Sequence, residues 1–124
     1  MRNTLICTVG TSLFGNLARI NGGENEINTE IYNSFQQKDW KGVSKGLLKT
    51  LPSDRLCGAE INTIEESKKK KWLELTNIIF LVSETEDGRN TGKVLSKYFE
   101  GRQDLGISSI ICKEIEGLQD SNPK

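Results

Sequence analysis

The chain has 124 residues, and its 17 lysines and arginines balance its 17 aspartates and glutamates. This length allows one domain with a core of its own. The charge balance argues against a long nucleic acid as a partner, because proteins that track DNA or RNA usually carry a basic excess. The sequence contains no histidine, which excludes histidine-dependent triads, histidine-ligated zinc and an imidazole general base.

The remaining composition points to a cytoplasmic protein. No apolar run approaches the roughly 20 residues that span a bilayer, so no membrane partner is expected, and the start of the chain lacks the features of a signal peptide. The three cysteines are widely spaced without a Cys-x-x-Cys motif, and Cys7 and Cys112 fall inside apolar strands. We therefore expect them to behave as small hydrophobic residues, and we expect neither a metal nor a cofactor.

The predicted elements alternate between strands and helices. The first strand, 4–9, is almost continuously apolar, which predicts burial on both faces, and further strands are predicted over 77–82 and 107–112. The predicted helices cover 12–21, a loosely packed stretch at 24–38, 40–51 with Asp39 as N-cap, a segment ending at Lys68–Lys71, and 88–99. This order predicts an α/β fold with a Rossmann-like, mainly parallel sheet flanked by helices.

Three strands are few for a sheet that is covered on both sides. We therefore expect a second subunit to complete the core, or the chain to be part of a longer protein. Residues 1–124 are accordingly interpreted as one domain, truncated at its C-terminal end if the chain is a fragment.

A glycine and two hydroxyl residues, Gly10-Thr11-Ser12, follow the first strand directly. Backbone N–H groups, hydroxyls and a helix start are the features that bind phosphate in α/β proteins. A helix N-cap with a turn glycine explains the same residues equally well. The pattern is neither a Walker A loop nor Gly-x-Gly-x-x-Gly.

The second polar strand exit is Ser83-Glu84-Thr85-Glu86-Asp87-Gly88-Arg89. Arg89 could donate two hydrogen bonds to a phosphate or stack on a base. The alternative is a capped helix start, in which acidic residues in the first turn are stabilised by the helix dipole. Both polar exits would lie at the carboxyl edge of the sheet, where α/β proteins collect their ligands.

Four motifs in order resemble the CRISPR-associated Rossmann-fold (CARF) domain, in the branch that includes ring nucleases. They are Ile6–Leu13, Cys57–Asn62, Ser83–Arg89 and Glu116–Gln119. The resemblance implies a homodimer that binds a cyclic oligoadenylate second messenger, with cyclic tetra-adenylate favoured, in type III CRISPR antiviral defence. A symmetric ring matches a symmetric dimer. A C-terminal effector domain beyond this chain is a further implied partner.

The resemblance also assigns the ligand-binding residues. The turn after the first strand would contact phosphate, the second loop would line the cleft, and a third loop would close over the ligand near the dimer centre. The residues are Gly10, Thr11, Ser12 and Leu13, then Ser83, Glu84, Thr85, Gly88 and Arg89, then Gly117, Leu118 and Gln119.

Two alternatives to a pure sensor domain stay open. In the first, the chain is a metal-independent ring nuclease, in which the 2′-hydroxyl of the ligand attacks the adjacent phosphorus and Ser12 orients the scissile phosphate. Similar ring nucleases use a lysine in the C-terminal part of the domain, outside the four motifs found in this sequence. In the second, the chain is a generic Rossmann-like module that binds a mononucleotide or another protein.

Overall fold

The computed structural model describes residues 3–19, 26–52, 57–69 and 75–116. The predicted order of strands and helices is confirmed. The elements are β1 (Asn3–Thr8), α1 (Ser12–Ala18), α2 (Glu26–Gln36), α3 (Trp40–Leu48), α4 (Gly58–Lys69), β2 (Leu75–Ser83), α5 (Glu86–Glu100) and β3 (Ser109–Ile115), with a 3-10 turn over Gln103–Leu105. No helix within these ranges is long and apolar enough to cross a membrane.

The three strands form one parallel sheet in the order β1-β2-β3. Thr8 of β1 pairs with Leu81 of β2, and Leu81 pairs with Lys113 of β3. Each crossover moves one strand position in the same direction. Right-handed crossovers therefore place the connecting helices on the same face of the sheet. The Rossmann-like α/β prediction is confirmed.

The covered face of the sheet forms the hydrophobic core. Ile78, Phe80 and Val82 alternate along β2, and at most 2% of each side chain is exposed. Phe80 stacks on Phe99 of α5, with ring centroids 5.9 Å apart. Burying each of these side chains contributes about 1.5–3 kcal/mol, so this row joins the helical layer to the sheet.

The opposite face of the sheet is open within the described residues. The register places Ile6, Ile79 and Ile111 in one row across the three strands, and Ile6 is 62% exposed and Ile111 50% exposed. The prediction that the first strand is buried on both faces is therefore wrong. A continuous apolar run does not reveal that both crossovers lie on the same side.

Helix α2 packs more firmly than its polar sequence predicts. Ile31 is fully buried, and the Phe14, Phe35 and Trp40 rings of α1, α2 and α3 lie within 6.0 Å of one another by centroid. The predicted cap of α3 is confirmed, because the Asp39 side chain accepts a hydrogen bond from the Gly42 N–H at 3.1 Å.

Strand β3 departs from its prediction in position. It begins at Ser109 rather than at residue 107, after Gly106 ends the 3-10 turn with a left-handed φ of 69°. The strand lies at an edge of the sheet, and Cys112, which the sequence predicts to act as a small hydrophobic residue inside an apolar strand, is exposed. Its Sγ still approaches Ser96 Oγ at 3.0 Å.

Candidate functional site

The turn after β1 is built from Gly10, Thr11 and Ser12. The Val9 N–H continues the sheet by donating to the Leu81 carbonyl at 2.9 Å. Thr11 is the N-cap of α1 but makes no side-chain capping bond, and the helix that follows has seven residues. The exposed Thr11 hydroxyl is therefore not committed to capping α1.

Helix α4 docks its first residues against this turn. Ser12 Oγ accepts a hydrogen bond from the Ala59 N–H at 3.1 Å. Gly58 permits the approach, since its φ is +82° and a Cβ there would lie 3.1 Å from the Leu13 Cα. The Cys57–Asn62 motif, far away in sequence, is thus part of the same site. Because a hydroxyl has one donor and two acceptor positions, Ser12 keeps the capacity to donate.

Glu60 is the residue of this site to which the sequence assigned no role. Its Oε2 accepts a hydrogen bond from the Gly10 N–H at 3.0 Å, and only 6% of the residue is exposed. Its Oε1 is buried without a hydrogen-bond partner. Its position in the family-like motif Cys57–Asn62 is the one sequence signal that could have drawn attention to it.

Cys7 lies on the helix-covered side of β1, close to the Glu60 carboxylate. Burial raises the pKa of the Cys7 thiol, and the negative charge of Glu60 raises it further. A raised thiol pKa keeps the sulfur protonated and weakly nucleophilic at neutral pH. Cys7 therefore belongs to the packing of this site rather than to its chemistry.

The second predicted loop is organised as a helix cap. Thr85 Oγ1 accepts a hydrogen bond from the Gly88 N–H at 3.1 Å and lies 2.7 Å from Ser83 Oγ. Gly88 packs directly on Ser83, where a Cβ would overlap the serine side chain. Glu86 and Asp87 occupy the first turn of α5, which the helix dipole favours. Glu84 is exposed at the tip of the loop.

Arg89 lies toward β3 instead of toward the turn after β1. Its Nε donates to Glu114 Oε1 at 2.9 Å, and about half of each side chain is exposed. Arg89 lines a shallow groove of about 370 Å³ between α5 and β3 together with Lys93 and Lys97. An exposed pair of this kind is easily opened, so the arginine remains able to meet an anion.

The structure brings the first two predicted loops to one edge of the sheet. The pairing of Thr8 with Leu81 sets the chain after β1 beside the end of β2 at Ser83. Leu13 faces the core and is fully buried, so only its backbone can contact a ligand. Gly117, Leu118 and Gln119 lie outside the described residues.

Fold and site together define a Rossmann-like α/β protein with two polar loops at the carboxyl edge of a parallel sheet. A family model described as "CRISPR-associated protein (Cas_APE2256)" matches residues 55–124. The matched stretch is more than half of the chain and includes α4, β2, α5 and β3. The chain belongs to this CRISPR-associated family.

Membership gives the chain a role in CRISPR defence and is consistent with the CARF-type resemblance. The branch within the CARF-type proteins stays a prediction. No curated protein matches the sequence significantly.

Proposed function

We propose that the chain is a CARF sensor domain that binds a cyclic oligoadenylate, with cyclic tetra-adenylate preferred, as a homodimer. The observation that carries the proposal is the meeting of Ser12 with the start of α4 inside a CRISPR-associated fold. The hydroxyls of Thr11 and Ser12 stand at the carboxyl edge of the sheet, where α/β proteins bind nucleotides.

Phosphate would be held by these two hydroxyls rather than by the Gly10 N–H, which already donates to Glu60. The second loop would supply the wall of the cleft through Glu84 and the outer face of the Ser83–Thr85 pair. In a dimer, a ring with two-fold symmetry would meet the same residues of each subunit. Each protomer would read half of the ligand.

Cleavage of the ring is a second candidate function, favoured by the fixed position of the Ser12 hydroxyl. The ligand's 2′-hydroxyl oxygen would form a bond to phosphorus, and the bond from phosphorus to the 5′-oxygen would break. The product carries a 2′,3′-cyclic phosphate. The 2′-hydroxyl gives up its proton as it attacks, and the leaving 5′-oxygen takes one up, so the protons balance. In such a reaction the protein supplies orientation and charge stabilisation.

The two functions are separated by a Ser12→Ala variant. We expect the variant to lose cleavage, if the wild type cleaves, and to weaken binding of cyclic tetra-adenylate by about fivefold to tenfold, which corresponds to one hydrogen bond. Calorimetry measures the binding, and chromatography of the nucleotide after incubation detects linear products. Ser67→Ala is the matched control, because that hydroxyl bonds only within α4 among the described contacts. Unchanged binding and cleavage in Ser12→Ala would remove Ser12 from the site.

A further inference from the structure

Among the described residues, the buried carboxylate of Glu60 has one oxygen that lacks a hydrogen-bond partner. One oxygen accepts from the Gly10 N–H, while the other is buried and has no partner. Leaving a carboxylate oxygen buried without a hydrogen bond destabilises a fold, because nothing compensates for the water that the oxygen has lost. Such groups concentrate at functional sites, where a ligand supplies the missing partner.

The missing partner must be a hydrogen-bond donor, because an ionised carboxylate only accepts. A phosphate oxygen is therefore excluded at Oε1, since two anionic acceptors would repel each other. No ion pair of the described residues involves Glu60, so no cation among them fills the role. The ligand group that Oε1 fits is a hydroxyl or an amino group.

The position of Glu60 distinguishes between these two donors. Its other oxygen bonds to Gly10, in the same turn as the Thr11 and Ser12 hydroxyls that would hold phosphate. The ligand donor must therefore lie close to a phosphate. In a ribonucleotide chain this is the ribose 2′-hydroxyl, which sits on the carbon next to the phosphate-bearing one, whereas the adenine amino group is remote.

We propose that Glu60 is a specificity-determining residue whose Oε1 accepts a hydrogen bond from the ribose 2′-hydroxyl beside the bound phosphate. This inference rests on the proposed function. Oε1 is shielded from solvent in this structure, so the contact forms when the side chain rotates or the turn beside it shifts. Glu60 then makes the site selective for ribose over deoxyribose, which is the distinction that a 2′-hydroxyl carries.

The test compares cyclic tetra-adenylate with the same ring in which hydrogen replaces each 2′-hydroxyl. We expect the wild type to prefer the ribose ring by about tenfold or more, as for a hydrogen bond to a charged group. Glu60→Gln keeps an acceptor for Gly10 but removes the charge, so the preference should fall by at least about fivefold. Glu66→Gln, exposed on the same helix, is the matched control. Chromatography verifies that the ribose ring stays intact during each titration.

Thermal unfolding distinguishes a structural role for Glu60 from a role in specificity. The melting temperature of Glu60→Gln should equal or exceed that of the wild type, because the variant no longer buries an unsatisfied charge. If Glu60→Gln does not fold, Glu60→Asp retains the charge but shortens the side chain, and the same loss of preference is expected.

Equal affinity of the wild type for both rings would overturn the inference and leave the proposed function standing. The inference would also be overturned if Glu60→Gln kept the preference of the wild type for the ribose ring. It would be overturned as well if Glu60→Gln bound both rings equally more weakly and had a lower melting temperature. Failure of the wild type to bind any cyclic oligoadenylate would overturn both the inference and the proposed function.

Discussion

Tyr98 of α5 and Arg102, which follows that helix, form a polar contact with each other. The Tyr98 ring is fully buried, and Arg102 Nη1 donates to its hydroxyl at 2.9 Å while Nη2 bonds to Glu65 at 2.8 Å and to Asp104 at 2.9 Å. Burial raises the pKa of Tyr98, although the hydrogen bond and the charge of Arg102 partly oppose the rise. The hydrogen bonds to Asp104, Glu65 and Tyr98 raise the pKa of Arg102, so it stays a cation.

This contact predicts a loss of stability at alkaline pH. The Tyr98 pKa is higher in the folded chain than in the unfolded one. The contribution of Tyr98 to the free energy of unfolding is therefore present in full below about pH 10, the ordinary tyrosine value. The advantage is lost as pH rises through the folded-state pKa, because the unfolded chain ionises first. We expect the melting temperature of the wild type to fall more steeply from pH 9 to pH 11 than that of Tyr98→Phe.

At pH 8 we expect Tyr98→Phe to be less stable than the wild type, because the variant lacks the hydrogen bond to Arg102. Tyr98→Phe leaves one Arg102 donor without its partner, which destabilises the fold by about 1–2 kcal/mol. The difference between the two melting temperatures should therefore narrow as pH rises. Tyr32→Phe controls for removal of a tyrosine hydroxyl elsewhere in the chain. Melting curves that stay parallel across the pH range would contradict the role assigned to Tyr98.

At the scale of the element, the two faces of the sheet respond differently to truncation. Ile78 of β2 points into the core and is fully buried, whereas Ile111 of β3, which pairs with Ile79, lies on the open face and is 50% exposed. Ile78→Ala should destabilise the chain by about 2–5 kcal/mol through lost burial and an unfilled cavity. Ile111→Ala should destabilise it by less than about 1.5 kcal/mol, because half of the side chain is already in water.

Urea unfolding of the two variants measures this difference directly. Measurement over a range of protein concentrations adds a test of the open face. A concentration-dependent loss of stability in Ile111→Ala, absent in Ile78→Ala, would place that face in a contact between subunits. Equal destabilisation at every concentration would contradict the one-sided sheet.

The sequence predicts the elements well because their signals are local. Apolar runs mark β1 and β2, and Asp39 caps α3 as expected. The exposure of Ile6 could not be predicted in this way, because it depends on the side of the sheet to which the crossovers return. Helix α2 shows the same limit, since its polar sequence gives little sign of the aromatic cluster that covers Phe35.

The candidate site shows a similar division. The turn at Gly10-Thr11-Ser12 and the cap at Thr85 could be identified from residues that follow strands. The partnership of Gly10 with Glu60 could not, because 50 residues separate them and the contact depends on how α4 docks. Arg89 illustrates the reverse case, because sequence adjacency to the loop does not reveal that its guanidinium turns toward Glu114.

At the scale of the molecule, the described residues form one helical layer over one parallel sheet. Parallel sheets are usually covered on both faces, and the exposed isoleucine row gives this sheet an apolar surface for a further layer. The chain belongs to a CRISPR-associated family. Its equal numbers of acidic and basic residues favour the proposed small cyclic ligand over a long nucleic acid.

The most direct test is calorimetric titration of the purified chain with cyclic tetra-adenylate. Binding across a two-fold axis predicts measurable heat and a stoichiometry of one ring per two chains, with sedimentation detecting a dimer in the bound state. The absence of heat with rings of four and of six adenylates would contradict the proposal that this chain is a cyclic oligoadenylate sensor. A stoichiometry of one ring per monomer would contradict the shared site.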